Sequence, residues 1–230
     1  MPDTTPESDV ALYGYFRSSS AWRVRIALAC KGIAYASIPV HLVRDGGEQH
    51  TADYAGINPM RQVPALRIDG VVLTQSLPII EYLDETRPEP PLLPSDPIQR
   101  ATARQYAEIV NAGIQPVQNL AVLQRIEREF DATGAQKKAW GRAAIESGFD
   151  ALETLVASTA GTCCIGDDVT IADLFLVPQL YNARRFGVAL ELYPTLTRVE
   201  AHLETLPAFV AAHAHEQPDT LDELRGTLRP

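Results

Sequence analysis

Three consecutive hydroxyls, Ser18-Ser19-Ser20, lie between an apolar run that reads as a strand, Leu12 to Phe16, and a segment in which Trp22, Ile26 and Ala29 recur at helical spacing. Such a run marks a helix N-terminus, with Ser18, Ser19 or Ser20 as the N-cap. A helix start carries unpaired N–H groups and a partial positive charge, so it attracts anions. A hydroxyl at that place can also donate to a thiolate, and a thiolate's pKa falls at a helix N-terminus. The segment holds no cysteine, so a thiolate stabilised here must arrive on a ligand. The plain alternative is a capping serine with no further role. Arg17, Arg23 and Arg25 form a local basic cluster in the same stretch. Elsewhere the chemistry is sparse. Cys30 falls on a helix and Cys163-Cys164 are adjacent, with no CxxC and no Cys/His ligand set, so neither a metal nor a redox dithiol is expected. His213-x-His215 reads as a solvated helix or loop face.

The elements that must position these residues follow from the pattern. Residues 1–9 read as disordered. A helix over about Ser20–Lys31 closes at Gly32, which suits a C′ position, and Tyr35–His41 reads as a second strand. Residues 44–57 read as loop with at most one helical turn. Asp69-Gly70 between two apolar runs is a strong two-residue hairpin signal, and Ser76 is expected to cap a helix from Leu77 to about Glu85. Strand–helix–strand followed by strand–strand–helix suits a small α/β domain with a mixed sheet. For Val63-Pro64, ahead of a strand, base rates favour the trans form. Prolines 88, 90, 91, 94 and 97 mark a semi-rigid linker. Beyond it, 98–130, 134–158, 170–186 and 195–214 read as helices of an all-α domain, with Thr170 and Asp173 shaped as a capping box of structural purpose.

The composition bounds the function. With 230 residues, 46% of them hydrophobic, the chain can bury a full core in one or two domains. A net charge of −9 argues against nucleic acid or an anionic membrane as the main partner. The polar first ten residues lack a signal-peptide pattern and no apolar run spans a bilayer, so a cytoplasmic protein is expected.

Eight blocks, in order along nearly the whole chain, resemble the zeta-class glutathione transferases. They are Phe16-Arg17-Ser18-Ser19, Trp22 to Leu28, Asn58 to Pro64, Gln75 to Leu83, Gly113 to Leu120, Thr170 to Leu174 with Leu176 to Gln179, Ala183-Arg184-Arg185-Phe186 and Gln217 to Thr220. The resemblance implies a glutathione transferase fold: a thioredoxin-like α/β domain over 10–88, then an all-α domain over 98–230 that contributes the substrate pocket, assembled as a homodimer. It implies a cis Val63-Pro64 bond and glutathione as the cofactor that brings the thiol. The activity implied is the cis–trans isomerisation of maleylacetoacetate to fumarylacetoacetate in tyrosine and phenylalanine breakdown, on a small-molecule keto-acid substrate. Maleylpyruvate isomerisation in gentisate breakdown, or general transfer of glutathione to electrophiles such as halogenated acids, are the alternatives.

The same resemblance assigns residues. Ser18 is the first candidate to stabilise the thiolate, with Ser19 and Ser20 beside it. Gln49 matches a contact to the glycyl end, Val63 offers main-chain groups to the cysteinyl part, and Gln75 and Ser76 match the site for the γ-glutamyl end. Gln115 and Asn119 lie at positions that reach the active site from the helical domain. Arg17 and Arg185 match positions that clamp the substrate's carboxylate; Arg23 and Arg25 read equally as helix-surface or interdomain ion pairs. Ser20 stands where the family commonly carries Cys, which weakens any mechanism that needs a protein thiol there.

Overall fold

The computed structural model describes residues 9–227, so most of the segment read as disordered lies outside the described residues. Those residues form two compact units, 9–90 with 207–227, and 91–206.

The first unit is built on a mixed four-stranded sheet in the order β2-β1-β3-β4. β1 (Ala11–Gly14) leads through α1 (Ser19–Cys30) to β2 (Ala36–Pro39), which pairs parallel with β1. After α2 (Ala52–Ile57) come β3 (Ala65–Ile68), antiparallel to β1, and β4 (Val71–Thr74), antiparallel to β3. Asp69 and Gly70 sit at φ 51° and 77°, the two positive values that a tight right-twisted hairpin turn demands. α1 ends as its sequence requires: Gly32 takes φ 63° and the Ile33 N–H reaches back to Leu28 O at 2.9 Å. The Val63-Pro64 bond is cis, as the resemblance implies and against the base rate.

Three elements differ from the sequence reading. β1 stops at Gly14 because the carbonyls of Tyr15 and Phe16 turn to Ser18 and Arg25 rather than to a neighbouring strand. Residues 44–57 hold two short 3₁₀ turns and then α2, whose cap is Thr51. α3 (Ser76–Thr86) begins one residue early: Ser76 is its first helical residue, and the cap position belongs to Gln75 at φ 71°, which makes no side-chain cap bond.

Among the described residues, the regular elements of the second unit are all helical, apart from one isolated bridge between Ala160 and Gly166 in the loop that joins two of them. The single helix expected over 98–130 is broken into α4 (Pro97–Glu108), a π-helical turn at Ile109–Ile114, α5 (Gln115–Gln118) and α6 (Leu120–Phe130), where Asn119 leaves the helical path to cap α6. α7 (Gly134–Ala157) follows, then α8 (Ile171–Phe186) and α9 (Pro194–Leu203). Every residue of α8 from Ile171 to Ala183 is buried, which is the mark of a helix at the centre of its unit. A bidentate pair from Arg184 to Glu200 pins α8 to α9.

α10 (Pro207–Ala212) and the chain to residue 227 belong to the first unit, where the sequence reading had carried the helical domain to the C-terminus. Specific bonds hold this segment there. α10 packs on α1, Arg25 donates to Ala212 O at 3.0 Å, and Asp219 accepts from the Phe16 N–H at 2.9 Å. His213 and His215 are buried rather than solvated: His213 lies edge-on to Trp22, and its Nδ1 accepts from the His215 N–H.

Candidate active site

The serine run starts at the sheet and ends inside α1. Ser18 is the N-cap, in extended backbone at φ −68°, ψ 112°, and its Oγ accepts from the Ala21 N–H at 3.2 Å. That bond uses a lone pair and leaves the hydroxyl proton to donate. Ser19 is buried and Ser20 half-buried at the first turn, where the N–H groups have no intrahelical acceptor. The adjacent pair Cys163-Cys164 in the second unit is poorly suited to act as a nucleophile. Burial pushes the Cys163 thiol up to about 12 and Cys164 well above its ordinary value.

From Ala21 to Leu28 every residue of α1 is buried, the two arginines included. Both arginines are buried, so neither is the helix-surface residue that the sequence allowed. Arg23 donates to Ser76 Oγ at 3.2 Å, so one guanidinium ties α1 to the first residue of α3. Burial lowers Arg25 to about 10, opposed by Tyr35 and Asp219, and it donates to the carbonyls of Tyr15, Phe16 and Ala212. The sequence signal for both was available in hindsight: arginines inside a helix with apolar residues on all sides must find acceptors.

The other candidates of the first unit lie on the loop ahead of β3 and at the starts of α1 and α3. Tyr54 Oη and Asn58 Nδ2 both donate to Gln62 O at 2.7 Å and fix the residue ahead of half-buried Val63. Gln49 is buried, and its Nε2 reaches Leu42 O at 3.3 Å while its Oε1 has no partner. Gly47, at φ 103°, makes room for it: a Cβ there would meet the Gln49 amide at 2.5 Å. Gln75 is exposed at the open start of α3 and Ser76 is buried behind it. Arg17 is half-buried with its guanidinium 5.2 Å from the centre of the Phe16 ring.

The second unit carries the remaining three. Gln115 is half-buried where α5 begins. Asn119 Oδ1 accepts from the Val122 N–H at 3.0 Å, so this side chain caps α6. Arg185 is exposed near the end of α8 with Nη1 3.4 Å from Asn182 Oδ1.

This chemistry fits a peptide thiol. The N-cap hydroxyl with a proton to give suits a thiolate, the uncapped start of α3 suits a carboxylate, and the unpaired Gln49 oxygen suits a ligand N–H. The residues that hold this arrangement are Arg23 and Arg25, which the sequence left as helix-surface or interdomain ion pairs, and Asp219, which it gave no role beyond a motif block.

The comparisons with known proteins agree in both sequence and fold. The family described as glutathione S-transferase, N-terminal domain, matches residues 17–86. A maleylacetoacetate isomerase of Mus musculus is 52% identical over 214 residues, which are 93% of this chain and 96% of that protein. A crystal structure of maleylacetoacetate isomerase from Anaeromyxobacter dehalogenans 2CP-1, with glutathione bound in its active site, is 49% identical with a TM-score of 0.83, over 92% of this chain and 98% of the other. The holo structure of a maleylpyruvate isomerase, described as a bacterial zeta-class glutathione S-transferase, is 40% identical with a TM-score of 0.89, over 92% of this chain and all of that one.

Proposed function

The chain belongs to the zeta-class glutathione transferases, among the maleylacetoacetate isomerases, and from that footing we propose that it isomerises maleylacetoacetate to fumarylacetoacetate with glutathione as a regenerated cofactor. The observation that carries the reading is the Ser18 hydroxyl, held at the N-cap of α1 with its proton free to donate. Glutathione supplies a thiolate that adds reversibly to the cis double bond, which turns a π bond into a rotatable single bond, and is released again as the trans alkene forms.

The residues of this chain perform the rest. Ser18 donates its hydroxyl hydrogen bond to sulfur, and the N–H groups of the first turn of α1, at Ser19 and Ser20, add the positive end of the helix. Both favour the charged form and lower the thiol's pKa. Val63 presents a strand-like N–H and C=O pair to the cysteinyl part. Ser76 and the open start of α3, backed by Arg23, hold the γ-glutamyl carboxylate, and Gln49 takes the glycyl end. Gln115 and Asn119 complete the contacts to the cofactor. Arg17 and Arg185 hold the carboxylate of the substrate and fix the maleyl end while the bond turns. We assign the enzyme to aromatic amino-acid breakdown in the cytoplasm, as a homodimer; no helix among the described residues is long and apolar enough to cross a membrane.

The test is an isomerase assay on the purified protein with maleylacetoacetate and maleylpyruvate side by side, each with and without glutathione. Turnover of maleylacetoacetate that requires glutathione without consuming it is the expected result. Faster turnover of maleylpyruvate moves the assignment to gentisate breakdown. Isomerisation of neither, with glutathione consumed by a halogenated acid, makes the protein a conjugating transferase.

A further inference from the structure

We propose that Asp219, in the C-terminal segment, is a positioning residue for the thiolate: it fixes the β1–α1 junction through the Phe16 N–H and so sets where the Ser18 hydroxyl stands. The inference deepens the site reading above and rests on it.

Tyr15, Phe16 and Arg17 join the end of β1 to the cap of α1 without belonging to either. Their main-chain groups are tied one by one. Tyr15 O accepts from the Ser18 N–H at 2.9 Å and from Arg25 Nη1 at 3.4 Å. Phe16 O accepts from Arg25 Nη2 at 2.9 Å, and the Phe16 N–H donates to Asp219 Oδ2 at 2.9 Å. The two tethers are themselves linked. Arg25 Nε donates to Ala212 O at the end of α10, and the carboxylate of Asp219 acts on the buried Arg25 charge. The segment that carries Asp219 is rigid in turn. Gln217 Nε2 donates to Ala211 O and His213 O. One carboxylate more than two hundred residues away in sequence thus holds the main chain two residues before the N-cap hydroxyl. A hydroxyl displaced by a fraction of an ångström from its sulfur loses most of a charge-assisted bond, because that bond is short and directional.

The experiment uses the full chain with Asp219→Ala, Asp219→Asn and Thr220→Val. Three quantities are read: amide exchange at Phe16 in the protein alone, the pKa of the glutathione thiol in the binary complex from its ultraviolet thiolate absorbance, and kcat and KM for maleylacetoacetate. Asp219→Ala is expected to speed exchange at Phe16, raise the bound thiol's pKa by about one unit and lower kcat about tenfold, with KM for the substrate unchanged. Asp219→Asn keeps an acceptor for the Phe16 N–H and is expected to restore all three to within about twofold. Thr220→Val removes a separate bond, from Thr220 Oγ1 to Ala214 O at 2.6 Å, and leaves the Asp219–Phe16 contact in place; it is expected to lower the unfolding temperature and leave the thiol pKa alone. A parental thiol pKa in Asp219→Ala, an Asn variant as impaired as the Ala variant, or an equal shift in Thr220→Val overturns the proposal. If Asp219→Ala does not fold, Asp219→Asn decides, since a thiol shift above about half a unit in it overturns the proposal as well. Failure of the substrate assignment reads differently: the parent protein then lowers the thiol pKa, and Asp219→Ala raises it, with no isomerase turnover in either.

Discussion

The starts of α3 and α8 are similar in sequence and opposite in outcome. Both open with a hydroxyl ahead of an apolar run, Ser76-Leu77 and Thr170-Ile171. At α8 the chain closes its own helix end: Asp173 Oδ2 accepts from the Thr170 N–H and hydroxyl, and Oδ1 accepts from the Cys164 N–H at 2.8 Å. At α3 the first turn holds no acidic residue to play that part. Gln75 occupies the cap position at φ 71° without a side-chain cap bond, and Ser76 looks inward to Arg23. A helix end filled by its own carboxylate is structure. One that is left open, at the cost of a strained residue, is a place for another molecule's carboxylate. α1 stands with α3: its cap hydroxyl accepts one N–H and keeps its proton.

The sharpest way to break this comparison is Ser18→Ala. If the cap of α1 serves a ligand, kcat falls by about two orders of magnitude, the scale for loss of one positioned donor. The unfolding free energy falls by only about 1 kcal/mol, the ordinary cost of a lost N-cap. Full activity in Ser18→Ala together with loss in Ser19→Ala would move the role by one residue. At the closed end the balance reverses. Asp173→Ala strands buried donors at Thr170 and Cys164, and is expected to cost roughly 3 kcal/mol of stability in urea titration. The glutathione affinity of the folded fraction should be unchanged; a weakened affinity would mean that α8's start is more than a brace.

Gln75→Gly tests the open end from the other side. Glycine takes a positive φ freely, so the variant sheds strain and is expected to gain about 1 kcal/mol, read as a higher urea midpoint. Glutathione binding by calorimetry is expected to weaken about tenfold if the Gln75 side chain makes the γ-glutamyl contact that the family resemblance implies. A variant that is both less stable and equally tight would show that Gln75 is structural and that the strain serves no ligand.

Local chemistry made the hairpin at Asp69-Gly70, the C′ glycine at Gly32 and the proline linker legible in the sequence, because each is set by one or two residues acting on their own backbone. The serine run was legible as a helix start for the same reason, and the motif blocks then supplied ligand roles that no periodicity contains. Ser76 misled because hydroxyls favour both the cap and the first turn; the choice between them falls to Arg23, far away in sequence. The break of 98–130 into four pieces was hidden because a π-helical turn keeps helical composition. The return of 207–227 to the first unit depends on Arg25 and Asp219, which are unremarkable charges until their partners are seen. What the sequence concealed is therefore tertiary pairing of polar groups, while turns and caps of purely local origin were readable.

The smallest effect is a matter of sign, and it separates two carboxylates that differ in burial. Asp69 is exposed in the hairpin turn, and hydrogen bonds from Arg87 first and Tyr82 second hold it down to about 2. Its folded value lies below the unfolded one, near 3.9. Its contribution is therefore present above that unfolded value and is lost as pH falls from about 4 toward 2. Asp173 goes the other way, because full burial raises it against the pull of its hydrogen bonds. A carboxyl with a raised folded value binds protons more readily in the native state, so its contribution is complete below the unfolded value and declines as pH rises through the raised one. Asn at each position removes the titration and keeps an acceptor. Urea midpoints across the acid range should show Asp69→Asn with a shallower fall at the lowest pH than the parent. Asp173→Asn should instead lose the decline that the parent shows above about pH 4. Superimposable acid limbs for Asp69→Asn and the parent would remove Arg87 and Tyr82 as the cause of the first slope. Parallel curves for Asp173→Asn would mean that the three hydrogen bonds at α8 outweigh burial, and that the closed helix end holds its carboxylate as an anion.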